Sequence, residues 1–303
     1  MHQRRPDGAA EPQRSPAADG DVVASPSGRP PAAGPAFGLP PRLGACDWPG
    51  ACGPQGVLIV GHGTADPVGE HETRQVATLV AGLLPDVPVE LGFLEVIGPS
   101  AGEAVVRLAA RGCRSIVVAP LLLFSAGHAT RDVPAAVLGP AAEAGLRVRQ
   151  TQPLGVHPAV VAASRHRRAE AVAGLEPVPV AETVLLVVGR GSSDPTALEQ
   201  LDAFARATEP EVGRIELGFV AAARPTLPEA IAVATVGASR VIVQPHLLFR
   251  GHVEEQVSAA VAAARRTHSG LEWVQVGRLG PDRLVAEAVV DRVRAVWAEE
   301  PAG

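Results

Sequence analysis

The second half of this sequence repeats the first, which limits the available folds to those built from two similar units. Three segments of the first half have counterparts in the second: VLIVGHGTADP (57–67) with VLLVVGRGSSDP (184–195), LGFLEVIGPS (91–100) with LGFVAAARPT (217–226), and PLLLFSAGHATRDV (120–133) with PHLLFRGHVEEQV (245–257). Because such self-similarity means that one structural unit occurs twice, we expect two lobes related by a pseudo-twofold axis.

Short apolar runs alternate with helical patterns in both copies. In the first copy VLIVG, VPVELGFL, SIVVAPLLL and LRVRQTQ predict strands, and the stretches between them carry apolar residues at helical spacing. Strands that are apolar throughout and separated by helices favour a parallel sheet covered on both faces. The predicted fold class is therefore α/β, with two tandem lobes that are each a parallel sheet flanked by helices.

The same patterns divide the chain into four parts. Residues 1–54 are rich in Pro, Gly, Ala and Ser without periodicity, which predicts a disordered extension. We expect a first lobe at 55–174, a linker at 175–182 and a second lobe at 183–299. The helices that close the two lobes are predicted at 158–173 and 281–298.

Composition narrows the class of protein further. A chain of 303 residues with 47% apolar residues is long enough for two packed domains, and a formal net charge of −5 gives no reason to expect a nucleic-acid partner. The sequence contains no long apolar run that predicts a membrane span or a secretory signal. We therefore expect a cytoplasmic protein with no membrane partner, acting as a monomer with two lobes.

The three cysteines are too few for a disulfide scaffold. Cys46 and Cys52 lie close together before the first lobe, where they could bind metal or oxidise; because two isolated thiols make an incomplete zinc site, an incidental occurrence is favoured. Cys113 lies at a helix-to-strand turn and is expected to be a small buried hydrophobe.

Polar side chains of the first copy follow three predicted strands. His62 follows VLIVG, Glu95 follows VELGFL, and His128 lies in the glycine-containing loop after SIVVAPLLLF. Ligands of an open parallel sheet bind at the carboxyl ends of its strands, so we expect these side chains to meet at one edge. Two imidazoles and a carboxylate with an open position suit a divalent transition metal better than Mg²⁺ or Ca²⁺.

Comparison of the copies favours a functional role for this trio. A single histidine after a strand is more often a hydrogen-bonded structural residue, and a single glutamate is usually a solvated charge. Aligning the glycines gives three pairs: His62 with Arg190, Glu95 with Ala221, and His128 with His252. Residues needed only for the fold would be kept in both copies, so the loss of an imidazole and a carboxylate from the second copy indicates function.

Other polar residues near these positions are weaker candidates. Asp66, followed by proline, has the pattern of a helix N-cap, and Thr64 is a candidate pocket hydroxyl. His246 either reaches the same edge of the second lobe or only ends a strand. His252 keeps its imidazole but lacks the two partners, so it is either a relic or a secondary site.

The three motifs of the first copy, in this order and at these spacings, resemble the sirohydrochlorin chelatase family, the class II chelatases of siroheme and cobalamin synthesis. The motifs are GHGTADP, GFLEVIGPS and APLLLFSAGHATRDVPAAV, and the resemblance covers nearly all of residues 56–298. Any one motif alone would be weak evidence, whereas the three together are specific. The duplicated length resembles the two-domain form of the family, as distinct from the short form that dimerises.

The resemblance implies two chelatase-like lobes that face each other across a cleft. It also implies ATP-independent insertion of Fe²⁺ or Co²⁺ into sirohydrochlorin, with the divalent metal as a substrate and no organic cofactor. His62 and His128 match the family's metal-binding histidines, and Glu95 matches its acidic partner. We expect all three to be metal ligands and catalytic residues, because an imidazole beside a carboxylate can also accept a pyrrole proton; either histidine can be that base.

Sirohydrochlorin carries several carboxylates, which arginines at the rim of a cleft can bind. The candidates are Arg131, Arg190 and Arg250. For Arg131, an ion pair with Asp132 or Glu95 is an equal alternative. Arg190 stands where the first copy has a histidine, so the second lobe is expected to have exchanged metal binding for carboxylate binding.

The leading prediction is a sirohydrochlorin ferrochelatase. A cobaltochelatase of cobalamin synthesis is the nearest alternative, because one set of ligands serves both metals. A carrier of metal or tetrapyrrole without turnover is a different class of answer, disfavoured by the complete trio in the first copy. A histidine phosphatase is disfavoured because Gly61, not arginine, precedes His62, and an α/β hydrolase because the G-x-S-x-G motif is absent.

Overall fold

The computed structural model describes residues 55–124, 128–194, 196–208 and 210–299, which form two four-stranded parallel sheets. The first sheet contains β1 (Gln55–Gly61), β2 (Val89–Phe93), β3 (Ser115–Pro120) and β4 (Arg147–Gln150), and the second contains β5 (Thr183–Gly189), β6 (Arg214–Phe219), β7 (Arg240–Pro245) and β8 (Glu272–Gln275). Across the sheets the strand orders are β2-β1-β3-β4 and β6-β5-β7-β8, so the topology is duplicated as the sequence repeat predicts. The prediction of an α/β fold with two similar lobes is confirmed.

Helices follow the strands in both lobes. The first lobe has α1 (Pro67–Leu83), α2 (Ala101–Ala110), α3 (Val133–Glu143) and α4 (Pro158–Val172), and the second has α5 (Thr196–Ala207), α6 (Leu227–Ala234), α7 (His252–Thr267) and α8 (Arg283–Ala298). None of the helices in the described ranges combines the length and the apolar character needed to cross a bilayer.

Local sequence explains where several helices begin. The Asp66 carboxylate accepts hydrogen bonds from the backbone N–H groups of Val68 and Gly69, at 2.8 Å and 3.2 Å, which confirms the predicted N-cap of α1. α2 and α6 each begin with a capping box, at Ser100 and Thr226. Such caps satisfy the free N–H groups of the first helical turn, and each is worth about 1 kcal/mol.

The helix that ends each copy packs on the other copy's sheet. α8 lies against α1 and β3, and its Val285, Val289 and Val293 share one buried core with Val57 and Val117 of the first sheet. α4 lies against α8 and β8, and its last turn packs on the core of the second sheet. Because each fully buried valine contributes about 1.5–3 kcal/mol, this exchange of helices holds the two lobes together. The linker predicted at residues 175–182, and the lobe boundaries on either side of it, remain a proposal.

A polar network strengthens the attachment of α4 to the second lobe. The Arg168 guanidinium donates to the carbonyl oxygen of Thr208 at 3.0 Å and to the side-chain oxygen of Gln244 at 3.0 Å. The Gln244 amide in turn donates to the carbonyl oxygen of Ser164 at 3.0 Å. Gln244 and Ser164 are buried, so these hydrogen bonds satisfy polar groups that would otherwise be costly to desolvate.

The segment after β3 differs between the lobes. In the first lobe a π-helix spans His128–Asp132 and leads into α3, so His128 begins a helix where the sequence indicated a loop. In the second lobe His252 begins the regular helix α7. The first-lobe segment is one residue longer between Pro120 and Val133 than its counterpart between Pro245 and Val257, which accommodates a different helix start.

Candidate functional site

The loops that follow the central strands of the two sheets line one cleft of about 640 Å³ between the lobes. The first lobe contributes residues 61–64, 73, 121–124, 131 and 132, and the second contributes residues 190–193, 221, 222 and 246–250. The carboxyl ends of parallel strands are the usual place for ligands in such sheets, and here two of these edges share one space. The cleft is therefore the candidate functional site.

His62 lines the first-lobe wall of this cleft, and Glu95 lies beside it. His62 Nε2 is 3.4 Å from Glu95 Oε1, and His62 Nδ1 is 3.2 Å from the carbonyl oxygen of Gly63. A carbonyl oxygen only accepts, so this contact places a proton on Nδ1 and leaves Nε2 facing the carboxylate. A cation between Nε2 and the carboxylate, either a proton or a metal ion, could bind both groups at once.

The backbone explains why these two side chains meet. The Glu95 N–H donates to the carbonyl oxygen of His62 at 3.1 Å, which joins the loop after β2 to the loop after β1. Gly63 has φ +100°, and a Cβ there would lie 1.9 Å from the Glu95 carbonyl oxygen. Only glycine permits this approach, so the Gly-His-Gly sequence is what brings His62 against Glu95.

The third member of the predicted trio is only partly described. The backbone of His128 begins the π-helix, but its side chain and the preceding residues 125–127, including Gly127, lie outside the described part of the structure. Among the side chains that are described, no three His, Cys, Asp or Glu groups come together as a metal site. The His62–Glu95 pair is thus observed, whereas ligation by His128 stays a prediction.

The predicted substrate-binding residues all line the cleft. Thr64 Oγ1 accepts from the Asp66 N–H at 3.1 Å, so the hydroxyl also shapes the start of α1. Arg131 and Arg190 are exposed, and neither forms an ion pair with any described residue; the alternative pairing of Arg131 with Asp132 or Glu95 is not observed.

Arg250 is already engaged with the first lobe. Its Nε lies 3.2 Å from Asp66 Oδ2, and its Nη2 lies 3.9 Å from Glu255. Hydrogen bonds from the backbone N–H groups of Gly69 and Val68 hold the pKa of Asp66 below its ordinary value, and the Arg250 charge lowers it further. A substrate carboxylate at Arg250 would share this guanidinium with Asp66.

The second-lobe wall reproduces the backbone of the first without its chemistry. The Ala221 N–H donates to the Arg190 carbonyl oxygen at 2.9 Å, and a Cβ at Gly191 would lie 1.7 Å from the Ala221 carbonyl oxygen. A guanidinium and a methyl group therefore stand where the first lobe has an imidazole and a carboxylate. Among the described residues, no carboxylate forms an ion pair with Arg190.

His246, which the sequence left open, lies in the cleft wall at the end of β7. It is buried against Phe204, with ring centroids 3.9 Å apart, and meets Phe124 edge-on at 5.2 Å. Neither ring nitrogen has a hydrogen-bond partner among the described residues. Burial lowers the pKa of His246 to about 3, so the imidazole is neutral at physiological pH.

The remaining candidates do not join the site. His252 is highly exposed and lies outside the lining of the cleft. Among the described residues its one ion-pair contact is with Glu255, 3.8 Å from its Nδ1. Cys113 is buried among apolar side chains, as predicted, and burial raises the pKa of its thiol. Cys46 and Cys52 lie outside the described residues.

Solved structures share this architecture. SirB from Bacillus subtilis with Fe³⁺ aligns with a TM-score of 0.68 and 25% identity, over 81% of this chain and 96% of that one. SirB from Bacillus subtilis subspecies spizizenii in complex with cobalt aligns with a TM-score of 0.65 at 24% identity, over 82% and 97%. Two parallel-sheet lobes on either side of a cleft thus define a protein of the chelatase fold.

Sequence comparison specifies the family. The CbiX family model matches residues 56–171 and again residues 184–296, so this chain belongs to the CbiX family. A sirohydrochlorin cobaltochelatase of Priestia megaterium is 29% identical over 229 residues, covering 74% of each chain. A sirohydrochlorin ferrochelatase of Bacillus subtilis (strain 168) is 28% identical over 252 residues, covering 80% of this chain and 92% of that one.

Proposed function

We propose that this protein inserts a divalent metal into sirohydrochlorin without ATP, with Fe²⁺ as the first candidate metal. The observation that carries the proposal is the His62–Glu95 pair, which lies at a cleft walled by both lobes and is absent from the mirrored position. Similarity to a ferrochelatase and to a SirB structure that holds iron supports the choice of Fe²⁺.

Co²⁺ is the second candidate. The cobaltochelatase of Priestia megaterium matches this chain over most of its length, and imidazole and carboxylate ligands suit both ions. With Co²⁺ the protein would act in cobalamin synthesis, with Fe²⁺ in siroheme synthesis.

In this proposal His62, Glu95 and His128 hold the incoming metal at the first-lobe wall. Nε2 of His62 faces the carboxylate of Glu95, so both groups present electron pairs toward the same point. An imidazole binds a transition metal through a neutral ring nitrogen, and a carboxylate lowers the net charge of the bound ion. The metal would thus wait at one wall of the cleft while the macrocycle enters beside it.

Metal insertion replaces the pyrrole N–H protons, so the site must also accept protons. As the metal leaves for the macrocycle, the released Nε2 of His62 and the Glu95 carboxylate become free to take them. Glu95 is the more exposed of the pair and can pass a proton to solvent. Because this exchange of a metal ion for protons leaves the redox state unchanged, we propose that no organic cofactor takes part.

The second-lobe wall and the rim would bind the carboxylates of the tetrapyrrole. Arg190 and Arg131 are exposed and line the cleft, Arg250 lies at the same edge, and Thr64 adds a hydroxyl. Guanidinium groups bind carboxylates through charge-assisted, often bidentate hydrogen bonds. Since one chain supplies both walls of the cleft, we propose that the protein acts as a monomer. We also propose that it acts in the cytoplasm, because its low cysteine content is in keeping with a reducing compartment.

The test is a direct assay of insertion. Purified protein is mixed with sirohydrochlorin and Fe²⁺, Co²⁺ or Ni²⁺, and the absorption change is compared with the uncatalysed rate. Loss of a metal ligand that also takes protons should lower kcat by about 10²–10³-fold in His62→Ala and in His128→Ala. His252→Ala is the matched control, because it removes the mirrored histidine outside the cleft, and should keep full activity.

Each outcome separates the alternatives. Acceleration that is lost in His62→Ala supports the proposal. No acceleration with any metal would favour a carrier of metal or tetrapyrrole. Full activity in both His62→Ala and His128→Ala would leave an enzyme whose site lies elsewhere.

A further inference from the structure

Helix α1, which directly follows the loop 62–66, carries a buried acidic residue on its packed face. Glu72 is only 7% exposed and lies among the buried residues of α1 that include Val76 and Val80. A carboxylate in such a place is costly to desolvate unless other groups bind it. Its partners therefore show what α1 is held against.

Among the described residues, the hydrogen-bond donors to the Glu72 carboxylate all belong to the second lobe. Arg278 Nε donates to Glu72 Oε2 at 3.0 Å, Arg278 Nη2 donates to Oε1, and the backbone N–H of Arg250 donates to Oε2 at 2.9 Å. The remaining edge of the Arg278 guanidinium donates to both oxygens of Glu254 on α7, each at 2.9 Å. Arg278 thus binds one carboxylate from each lobe through its planar fork.

The second lobe also touches the first turn of α1. The Arg250 guanidinium pairs with Asp66, the N-cap of α1. A Cβ at Gly69 would lie 2.2 Å from the Arg250 carbonyl oxygen, so glycine allows the second-lobe backbone to lie against the helix. The Asp66 N–H donates to Thr64 Oγ1, which carries the contact into the loop that begins with His62.

On the mirrored side, the described residues show no ion pair that corresponds to these. Alignment of the two copies places Gln200 opposite Glu72 and Pro153 opposite Arg278. The Gln200 amide donates to Thr196 Oγ1 within its own helix, at 2.9 Å. Other ion pairs also join the lobes, such as Arg167 with Asp282. Among the described inter-lobe ion pairs, those of Arg278 and Arg250 reach α1 beside the imidazole–carboxylate pair, and none reaches the counterpart helix α5.

We propose that Arg278 and Glu72 are positioning residues for the metal-binding wall: through α1 they fix the loop 62–66, and hence His62, against the second lobe. This role rests on the proposed function, since it is His62 whose placement matters. Neither residue touches the reacting atoms. An ion pair with a purely structural role would stabilise both lobes, and its loss would affect the loops after β1 and β5 equally.

Hydrogen exchange of the full chain, followed by mass spectrometry, tests the proposal without depending on activity. Glu72→Gln keeps the side-chain volume and removes the charge, and should raise amide exchange in residues 61–70 by about tenfold while leaving residues 189–194 unchanged. Arg278→Lys keeps the charge but loses the fork, and should show a smaller increase in the same segment. Asp202→Asn, which removes an exposed pair with Arg206 on α5, is the control and should change neither segment.

Kinetics give the second readout. Glu72→Gln should lower kcat about tenfold with little change in KM for the tetrapyrrole, because a displaced ligand slows the reaction more than it weakens substrate binding. Unchanged exchange at 61–70, or an equal increase in both loops, would overturn the positioning role. A wild-type protein that inserts no metal would contradict the proposed function, while the exchange result would still decide whether Arg278 and Glu72 hold the loop.

Discussion

The loops after β1 and β5 have the same backbone and different chemistry. Gly63 and Gly191 both have left-handed φ angles, +100° and +92°, and in both lobes a backbone hydrogen bond joins the loop to the one after the next strand. The first lobe places an imidazole and a carboxylate on this frame, and the second places a guanidinium and a methyl group. The backbone thus folds with either set of side chains, so the fold alone does not require the imidazole and the carboxylate.

A further pair of corresponding residues is apolar in the first lobe and polar in the second, although both side chains are buried. The residue that follows Pro120 in the first lobe is Leu121, whereas the residue that follows Pro245 is His246, and both are buried. Leucine satisfies this apolar position without cost. An imidazole without a hydrogen-bond partner among the described residues does not, so the second lobe retains a group that its own fold does not require.

Replacing His246 with leucine, as in the first lobe, should have the largest effect on stability. The folded-state pKa of about 3 lies below the ordinary value of 6.5, so between these pH values the unfolded chain binds more protons than the folded one. Stability is therefore lost as the pH falls through this window. His246→Leu should remove that loss. The difference in free energy of unfolding between the variant and wild type should therefore be about 2–3 kcal/mol more favourable to the variant at pH 4.5 than at pH 7.

Urea unfolding at pH 7 and pH 4.5 measures this effect. His71→Gln is the matched control, because it removes an exposed histidine of α1 that lies outside the cleft wall. If His246→Leu showed the same pH dependence of stability as wild type, the buried imidazole would not be the group that destabilises the protein at low pH.

Arg190→Ala sharpens the comparison at the two loops. Loss of one charge-assisted hydrogen bond to a substrate carboxylate should raise KM for sirohydrochlorin about tenfold, while the affinity for the metal stays the same. The measurement is steady-state insertion at varied tetrapyrrole, together with a metal titration. Arg206→Ala, at an exposed arginine of α5, is the control, and an unchanged KM in Arg190→Ala would remove the carboxylate-binding role.

The smallest effect concerns the turn beside Glu95. Val96 and Ala222 occupy mirrored positions with positive φ angles of 70° and 53°, a conformation that is most unfavourable for a β-branched residue. Val96 is 64% exposed, so its side chain contributes little burial. Val96→Gly should therefore raise the free energy of unfolding by about 1 kcal/mol, and Ala222→Gly by less. Equal effects of the two changes in thermal or urea unfolding would show that the valine is not strained.

The sequence predicted the lobes and the meeting of His62 with Glu95 because both depend on local or repeated features. Apolar runs specify buried parallel strands, and consecutive strand ends share one edge of a sheet. The glycines in the turns specify the contact between the loops, since Gly63 allows the loop after β1 to touch the loop after β2. The predicted family and fold class are confirmed, while the roles of individual site residues remain proposals.

The connections between the lobes could not be read from the sequence in the same way. Amphipathic helices such as α4 and α8 can cover either sheet, so their exchange depends on tertiary packing. Glu72 looks like a solvated charge until Arg278, 206 residues away, is placed beside it. His246 carried one signal, its mirrored leucine, but its burial between Phe124 and Phe204 depends on the contact of the two lobes.

The most direct test of the division between the lobes counts bound metal ions. Co²⁺ is titrated into the protein without tetrapyrrole, and its visible absorption reports both stoichiometry and ligand type. We expect a single Co²⁺ per chain, lost in His62→Ala and retained in Arg190→Ala. A Co²⁺ ion that stays bound with wild-type affinity in His62→Ala would contradict the assignment of metal binding to the first lobe.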